Sequence, residues 1–393
     1  MDAIEIGATE RDILTSLSPA DVASPAPSLR SGLLLASLLL PLAPSADAET
    51  APEKASLQLK YLDYLDSQPG ADRIRVRAPM LMLSIPFKDE WLLNTSLVND
   101  TVSGASPRYH TKALTKMFDV RNAVSASVTH LYPERAETLG IAKSKERDYE
   151  SSSVSATHVW FLNGKNTEVT LGASYTYDSI NPANRLVVDE HKQIIDLITG
   201  VTQILTTADI LQLTLRYSDG NGYYNDPYKS MDQRPRHRQA QSLLSRWNHY
   251  WDAVGGTSRI SYRYYTDSFG IDAHTINLEY VQPLAHGWNL MPLLRLYTQN
   301  AASFYVPSDP AQPNLPIFPD PTMRYYSEDQ RLSAFGARTI GAKLSKQINR
   351  DLLVDVKIEK YDQRSGWALQ GKPDEGLLPF SARSLQVGFN YQF

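Results

Sequence analysis

The final segment of the chain alternates apolar and polar residues. Leu385, Val387, Phe389, Tyr391 and Phe393 occupy every second position, with polar residues or glycine between them. This period of two predicts a β-strand with one apolar and one polar face. A closed outer-membrane barrel gives such a strand lipid on one side and water on the other, although the last strand of a soluble sandwich shows the same pattern.

Similar amphipathic segments recur from residue 56 onwards, and their number, about sixteen, is even, as in single-chain bacterial barrels. With the first segment starting in the periplasm, the periplasmic connections are all short, and the longest ones, residues 222–236 and 304–328, lie outside. We therefore predict an all-β fold, an antiparallel transmembrane β-barrel over residues 49–393. The predicted strands are residues 56–65, 72–86, 90–104, 117–131, 135–147, 150–162, 166–178, 191–205, 209–221, 237–252, 257–267, 271–284, 288–303, 329–347, 351–366 and 380–393.

Two segments separate their faces clearly. In residues 166–178 the odd positions from Val169 to Tyr177 are apolar, and the even positions are polar or glycine. In residues 351–366, Leu352, Val354, Val356 and Ile358 form the apolar face, and Asp355, Lys357 and Glu359 lie on the charged face. The apolar faces should contact lipid, and the polar faces should line a lumen too wide for side chains to fill.

The same alternation places a set of arginines on the lumen side. We expect Arg216, Arg259 and Arg263 to lie below the mouth, where Glu279 on the neighbouring strand can pair with one of them. The full set on the lumen side is Arg73, Arg75, Arg77, Arg216, Arg259, Arg263 and Arg295, and the residues predicted to face lipid on three of their strands are Ile74, Val76, Leu213, Leu215, Ile260 and Tyr262.

The start of the chain is typical of a secretory signal peptide. Residues 31–43 form an apolar run too short to span a bilayer as a helix, and small residues flank a cleavage site at Ala46 and Ala48. We therefore assign residues 1–48 to an N-terminal extension plus a cleaved signal peptide. The acidic residues before Arg30 have the wrong sign for a leader, which indicates either a true start near Val22 or a natural long extension.

Composition agrees with export to a membrane. After Ala48 no apolar run is long enough for a transmembrane helix, so insertion requires closed strands. The 22 tyrosines suit interfacial aromatic girdles, and the chain has no cysteine for a disulfide or a thiolate metal site. Basic and acidic residues balance after residue 48, so the net charge gives no reason to expect nucleic acid as a partner.

Six short blocks carry a resemblance to a known family. They are Ser103–His110, Val201–Leu205, Leu211–Lys229, Tyr262–Asp267, Asp329–Gly336 and Pro379–Arg383. They are similar to blocks in a bacterial outer-membrane barrel family catalogued as of unknown function, over nearly the whole chain after residue 48. The resemblance implies a barrel in the outer membrane and brings no catalytic residues.

The resemblance also implies partners. Members of the family are often encoded beside a thioredoxin-like protein, a small lipoprotein and a flavin transferase that attaches FMN to proteins, which implies a periplasmic thioredoxin-like or flavinylated protein as a partner. The last strand resembles the recognition strand that outer-membrane barrels present to the barrel assembly machinery. Phe389, Tyr391 and Phe393 are the candidate assembly signal.

No common catalytic motif occurs in the chain, neither Gly-x-Ser-x-Gly, His-Glu-x-x-His nor a P-loop, and we predict no enzyme, cofactor or metal. Residues 219–226 resemble a calcium loop but lack its bidentate glutamate, which favours an ordinary turn. A site built from several strands remains an alternative, and its candidates are better read as polar groups at the interface or rim. These candidates are His110, His130, His158 and His249.

Two outer connections have distinctive compositions. Lys229, Arg234, Arg236 and Arg238, near His237, form a basic cluster expected at the outer rim, where it would hold lipopolysaccharide phosphates or steer anions, or would be a solvated strand end. Six prolines between Pro307 and Pro321 favour a stiff strap over the mouth, since Ile317 and Phe318 would otherwise be left in water; the alternative is an exposed loop.

Three functions follow in order of preference. The first is a channel or export conduit for small polar solutes, because the lumen face is hydrophilic and charged. The second is a plugged barrel that serves as a structural or docking platform for a periplasmic redox or flavin-linked partner. The third is a barrel-embedded enzyme. Each places the protein in the bacterial outer membrane, in contact with its lipid and lipopolysaccharide.

Overall fold

The computed structural model describes residues 51–107, 110, 111, 114–312 and 318–393. The predicted signal peptide and the candidate start at Val22 lie outside the described residues. The described part of the chain forms one closed antiparallel barrel of sixteen strands, which confirms the predicted fold class. No helix in this part is long and apolar enough to cross a bilayer.

The barrel wall follows the order of the chain. In space each strand of the wall lies between the wall strands that precede and follow it in the chain, and the last strand pairs with the first. The strands of the wall are β1 (Ser56–Gln68), β2 (Ala71–Phe87), β3 (Trp91–Pro107), β4 (Leu114–Tyr132), β5 (Arg135–Lys145), β6 (Tyr149–Leu162), β7 (Thr167–Ile180), β8 (Glu190–Ile204), β9 (Asp209–Gly222), β11 (His237–Trp251), β12 (Gly256–Asp267), β13 (Asp272–Leu284), β14 (Trp288–Gln299), β16 (Phe335–Gln347), β17 (Leu352–Arg364) and β18 (Phe380–Gln392). Two short strands, β10 (Asp232–Gln233) and β15 (Tyr326–Ser327), pair with each other in the loops.

The first and last strands close the wall. β1 and β18 pair along their length, and Ala55 and Phe393 exchange backbone hydrogen bonds of 3.0 and 2.9 Å just beyond them. Closure matters because an unpaired strand edge in hydrocarbon would leave backbone N–H and C=O groups without partners.

The wall has an apolar outer face and a largely polar inner face. Leu139 and Ile141 on β5 are 68% and 61% exposed, and Leu171 on β7 is 52% exposed, although all three are hydrophobic. Ser153 and Thr176 are buried on the inner side of neighbouring strands. A continuous belt of exposed apolar side chains is stable only in lipid, so this belt places the protein in a membrane. The face assignments predicted for residues 166–178 and 351–366 agree with these exposures.

The two ends of the barrel differ in the length of their connections. Short turns, such as those at residues 133–134 and 285–287, lie on the side of the barrel where β1 starts, at Ser56, and β18 finishes, at Gln392. The long connections, above all residues 223–236, 300–312 with 318–334, and 365–379, lie at the opposite end. Short periplasmic turns and long extracellular loops are the rule for these barrels, so the long loops define the extracellular mouth.

One predicted face assignment is wrong. Arg75 and Arg77 lie on the outer face, opposite Leu65 and Asp63 of β1, and Ile74 and Val76 are buried on the inner face. The ladder has an irregularity beside Leu65, where the register shifts. A shift of one residue exchanges the two faces of a strand, so alternation could not be carried across this point.

Two structural features explain why Arg75 and Arg77 lie on the outer face. Gly104 of β3 faces the irregular part of β2 with a φ of +129°, and a Cβ there would lie 1.8 Å from the carbonyl oxygen of Arg73. The inner surface at this level is itself apolar, since Ile74 and Val76 pack in a cluster with Tyr361. Arg73 still points inward, with its guanidinium 4.8 Å from the centre of the Phe380 ring.

Candidate functional site: the lumen and its extracellular cap

The inner wall of β8 to β14 carries the predicted lumen residues. Arg216 (β9), Arg259 and Arg263 (β12) and Glu279 (β13) all belong to the inward-facing set, because the alternate positions on their strands hold the exposed apolar residues. Their placement agrees with the sequence prediction, and their role in conduction stays a prediction.

Hydrogen bonds and ion pairs hold several of these arginines against the wall. Arg216 donates to Asp196 of β8 across 2.8 Å. Arg259 stands directly opposite Glu279 in the ladder, and Arg295 of β14 donates to the side-chain oxygen of Asn277. Guanidinium groups positioned in this way keep a fixed location while still facing the interior.

Extracellular loops meet across the mouth and form a cap. We use the word cap for the described loop residues 223–236, 300–312 and 318–334 together with His110 and Asp374. His110, between β3 and β4, lies 2.9 Å from the carbonyl oxygen of Val306, between β14 and β16. In the ring, four strands separate these two loops on one side and eight on the other, so the contact crosses the mouth.

Two further contacts tie the cap together. β10 pairs with β15, which joins the loop after β9 to the loop after β14. Asp374, between β17 and β18, accepts hydrogen bonds from the hydroxyl of Tyr305 at 2.6 Å and from the backbone N–H of Ser308 at 2.8 Å. The cap therefore links loops from several sides of the barrel.

The centre of the cap is a buried network of charges. Arg234 donates to Asp232 at 2.9 Å and to Asp329 at 2.8 Å, and all three side chains are at most 1% exposed. Arg331 pairs with Asp329 and, at 2.8 Å, with Asp226. Removing one partner from such a buried set leaves an uncompensated charge, so the loops are held in one arrangement.

The basic cluster expected at the outer rim is not gathered there. Lys229 and Arg234 are buried in the cap, and Arg238 pairs with Asp267 near the top of β12. Only Arg236 has a side chain more than half exposed, and it pairs with Glu190. The sequence prediction failed because Gln330, which accepts a hydrogen bond from Lys229, and Asp329, which pairs with Arg234, lie about 100 residues further along the chain.

Glu328 is the most unusual ionisable group in the cap. It is 1% exposed, and neither carboxylate oxygen has a hydrogen-bond partner among the described residues. Burial raises its pKa to about 7, although Lys229 nearby opposes the change. Burial also lowers the pKa of Lys229 to about 8 and lowers the pKa of His110, whose Nδ1 lies 3.6 Å from Glu328.

The proline-rich strap is described only in part. Residues 313–317, which include Ile317, lie outside the described residues. Val306 before them is buried in the cap, whereas Phe318 after them is 78% exposed. The expectation that Phe318 is shielded from water is therefore wrong.

The four histidines considered for a multi-strand site are spread over the barrel. His110 is in the cap, whereas His130 stacks on Trp91 with ring centres 4.1 Å apart. His158 lies near the ring of Trp160, and His249 lies 2.8 Å from Asp209. The structure does not bring these four residues together.

A separate group of carboxylates lies beside the mouth. One oxygen each from Asp119, Glu146 and Asp148 lies within 4.8 Å of the others, a spacing that could hold a cation. Burial raises the pKa of Glu146 to about 8, and the other two carboxylates add to this effect while Arg121 opposes it. Sequence reasoning missed this group because Asp119 is on β4 and the other two residues follow β5.

A family model described as "Protein of unknown function (DUF3570)" matches residues 31–117, 109–189 and 183–393. The chain belongs to this family. No curated protein has a sequence that matches the chain significantly.

One solved structure supports the fold of this DUF3570 protein. A bacterial polysaccharide outer membrane secretin is 7% identical, with a TM-score of 0.52 over 86% of this chain and 98% of that chain. A weaker similarity is to OccK3 (OpdO) from Pseudomonas aeruginosa, which is 11% identical, with a TM-score of 0.44 over 86% of this chain and 96% of that chain. Another is to the CymD monoaromatic hydrocarbon channel, which is 8% identical, with a TM-score of 0.43 over 87% of this chain and 89% of that chain. Together with the apolar belt, the barrel fold places the DUF3570 protein in the bacterial outer membrane.

Proposed function

We propose that this DUF3570 protein is a channel for small polar solutes that prefers anions and is gated by its cap. The observation that carries the proposal is a concentration of arginines on one sector of the inner wall, opposed there by Asp196 and Glu279. A barrel of sixteen strands is too wide for side chains to fill, so these cations would border water. The arginines are Arg216, Arg246, Arg259, Arg263 and Arg295.

The cap determines how such a channel would open. Its loops cross the mouth through the contact of His110 with Val306 and through the network around Asp329. Solutes could pass only when these contacts separate or shift. The proposed channel therefore has a lumen lined by arginines and an extracellular gate that is closed in this arrangement.

Reversing two lumen charges is expected to change ion selectivity. Arg259→Glu with Arg263→Glu should move the reversal potential under a salt gradient from weak anion preference towards cation preference, because fixed charges concentrate counter-ions. The recording is best made in a background with an opened cap, such as Asp329→Asn. A matched control is Arg75→Glu with Arg77→Glu, which makes the same charge change on the outer wall. If the lumen variant and the control have equal reversal potentials, these arginines do not border the conduction path.

A second candidate function is a closed barrel that serves as a docking platform for a periplasmic thioredoxin-like or flavinylated protein. The extent of burial in the cap favours this alternative, since Asp329 and Glu328 are almost inaccessible to solvent. The periplasmic turns would then carry the function. An opened cap without any ion current would favour this platform over the channel.

A further inference from the structure

The outer wall is strongly basic on one side of the barrel, just above its apolar belt. On β16, β17, β18 and β2, the outward positions are apolar near the membrane centre and become cationic towards the mouth. Examples are Ile358 followed by Lys360, and Leu385 preceded by Arg383 on the antiparallel neighbour. We call this set the outer basic band. It consists of Arg75, Arg77, Arg338, Lys360 and Arg383.

The ladder brings the cations of this band side by side. Lys360 lies directly opposite Arg383, and Leu65 of β1 lies opposite both Arg383 and Arg75. One row across four strands therefore holds three cations and a single apolar residue. Like charges placed opposite each other destabilise a sheet unless an anion lies between or above them.

The nearby acids do not neutralise the band. Asp63 pairs with Arg75 and Arg77, and Asp362 pairs with Arg338. Within the described ranges Lys360 and Arg383 have no ion-pair partner within 4.0 Å, and both side chains are exposed. Two carboxylates thus pair with three of the five cations, on a surface that points away from the lumen.

The position of the outer basic band along its strands identifies the layer of the membrane that it contacts. Arg383 is the fourth residue of β18, and Lys360 lies four residues before the end of β17, so both lie near the extracellular ends of their strands. The apolar positions below them contact acyl chains, and the loops above them reach water. The band therefore lies at the headgroup level of the outer leaflet.

The opposite wall provides a contrast. At corresponding outward positions β7 and β12 carry Tyr175, Tyr177 and Tyr262, each between 41% and 43% exposed. Tyrosines suit any membrane interface, whereas clustered arginine and lysine select anionic headgroups. The asymmetry indicates a preferred lipid on the β16–β2 side.

We infer that the outer basic band binds the phosphorylated sugar headgroup of lipopolysaccharide in the outer leaflet. Arginine donates two parallel hydrogen bonds to a phosphate, and the Lys360–Arg383 pair supplies two adjacent donors that form no ion pair within 4.0 Å among the described residues. The apolar side chains directly below, including Ile358 and Leu385, would contact the acyl chains of the same molecule. The site lies on the lipid side of the wall and is independent of the proposed conduction.

Lipid binding in nanodiscs tests this inference. The protein is placed in phosphatidylethanolamine nanodiscs with increasing lipid A, and native mass spectrometry measures retained lipid A. Lys360→Gln with Arg383→Gln should weaken binding about thirtyfold, since each cation near an anionic lipid contributes about fivefold. The matched control, Lys88→Gln with Arg350→Gln, removes two charges at the periplasmic end and should bind lipid A like the wild type.

Further arms distinguish the sources of binding. Lipid A without phosphates should bind the wild type as weakly as phosphorylated lipid A binds the double variant, and millimolar inorganic phosphate should not displace lipid A. Heat-dependent gel mobility confirms that each variant keeps the closed barrel. The inference is overturned if the double variant binds like the control, if phosphate-free lipid A binds equally well, or if inorganic phosphate alone displaces the lipid.

Discussion

Replacing Asp329 with Asn is expected to open the cap. In the wild type the Asp329 carboxylate pairs with both Arg234 and Arg331 at the buried centre of the cap. Loss of the anion leaves Arg331 without its main partner and Arg234 with Asp232 as its remaining ion pair, which should destabilise the capped arrangement by about 3–5 kcal/mol. Since each 1.4 kcal/mol changes an equilibrium tenfold, the ratio of capped to open molecules should fall at least about a hundredfold.

Limited trypsin digestion measures this change. The buried Lys229 and Arg234, and Arg331 with its side chain 13% exposed, should resist cleavage in the wild type and become substrates in Asp329→Asn. Asp320→Asn is the matched control, because Asp320 belongs to the same loop but is exposed, and its carboxylate accepts hydrogen bonds from Thr322. Equal cleavage in the two variants would mean that the buried network does not hold the cap closed.

Raising the pH from 5.5 to 7.5 is expected to weaken the cap through Glu328. Its pKa is about 7 in the capped protein and 4.5 in an exposed glutamate, so the capped state binds the proton more tightly. The full stabilisation is present below pH 4.5 and is lost as the pH rises through 7, a change of about 3 kcal/mol. Over the stated range the open fraction should rise about twentyfold from this group alone.

Groups around Glu328 contribute to the pH response in known directions. Burial raises the pKa of Asp232, which acts in the same direction. The lowered pKa of His110 acts oppositely, because its neutral form is favoured in the cap as the pH rises. The pKa of Lys229, about 8, acts mainly above this range.

Open probability in planar bilayers at pH 5.5 and 7.5 measures the effect of Glu328. Glu328→Gln should abolish the increase of about twentyfold that this group contributes. Glu375→Gln, in the loop between β17 and β18, is the control and should keep the wild-type response. An unchanged response in Glu328→Gln would show that another group senses pH.

The strand pattern could be predicted because each strand meets two different solvents. Outward residues such as Leu171 and Phe389 contact lipid, and their neighbours face inward, so period-two alternation is strong wherever the lumen is wet. The alternation gave the wrong faces near the extracellular end of β2. There the inner face also becomes apolar, and Ile74 and Val76 point inward while Arg75 and Arg77 point outward.

The cap could not be predicted because its contacts join distant parts of the chain. Arg234 and Asp329 are 95 residues apart, and His110 and Val306 are 196 residues apart. No local period connects such pairs. The predicted strand at residues 329–347 in fact begins at Phe335, since residues 330–332 form a 3-10 turn within the cap. The blocks Ser103–His110, Leu211–Lys229 and Asp329–Gly336 did mark segments that contribute to the cap.

The most direct test of a capped channel is the conductance of the barrel with and without its largest loop. Replacing residues 300–334 with Asn-Gly would join Gln299 to Phe335, which already face each other across β14 and β16, through a two-residue hairpin. Planar-bilayer recordings should show rare openings for the wild type at pH 5.5 and steady, anion-preferring currents for the deletion variant. A deletion variant that keeps heat-dependent gel mobility but conducts no more than the wild type would contradict the account, because the lumen would then not form a continuous aqueous path.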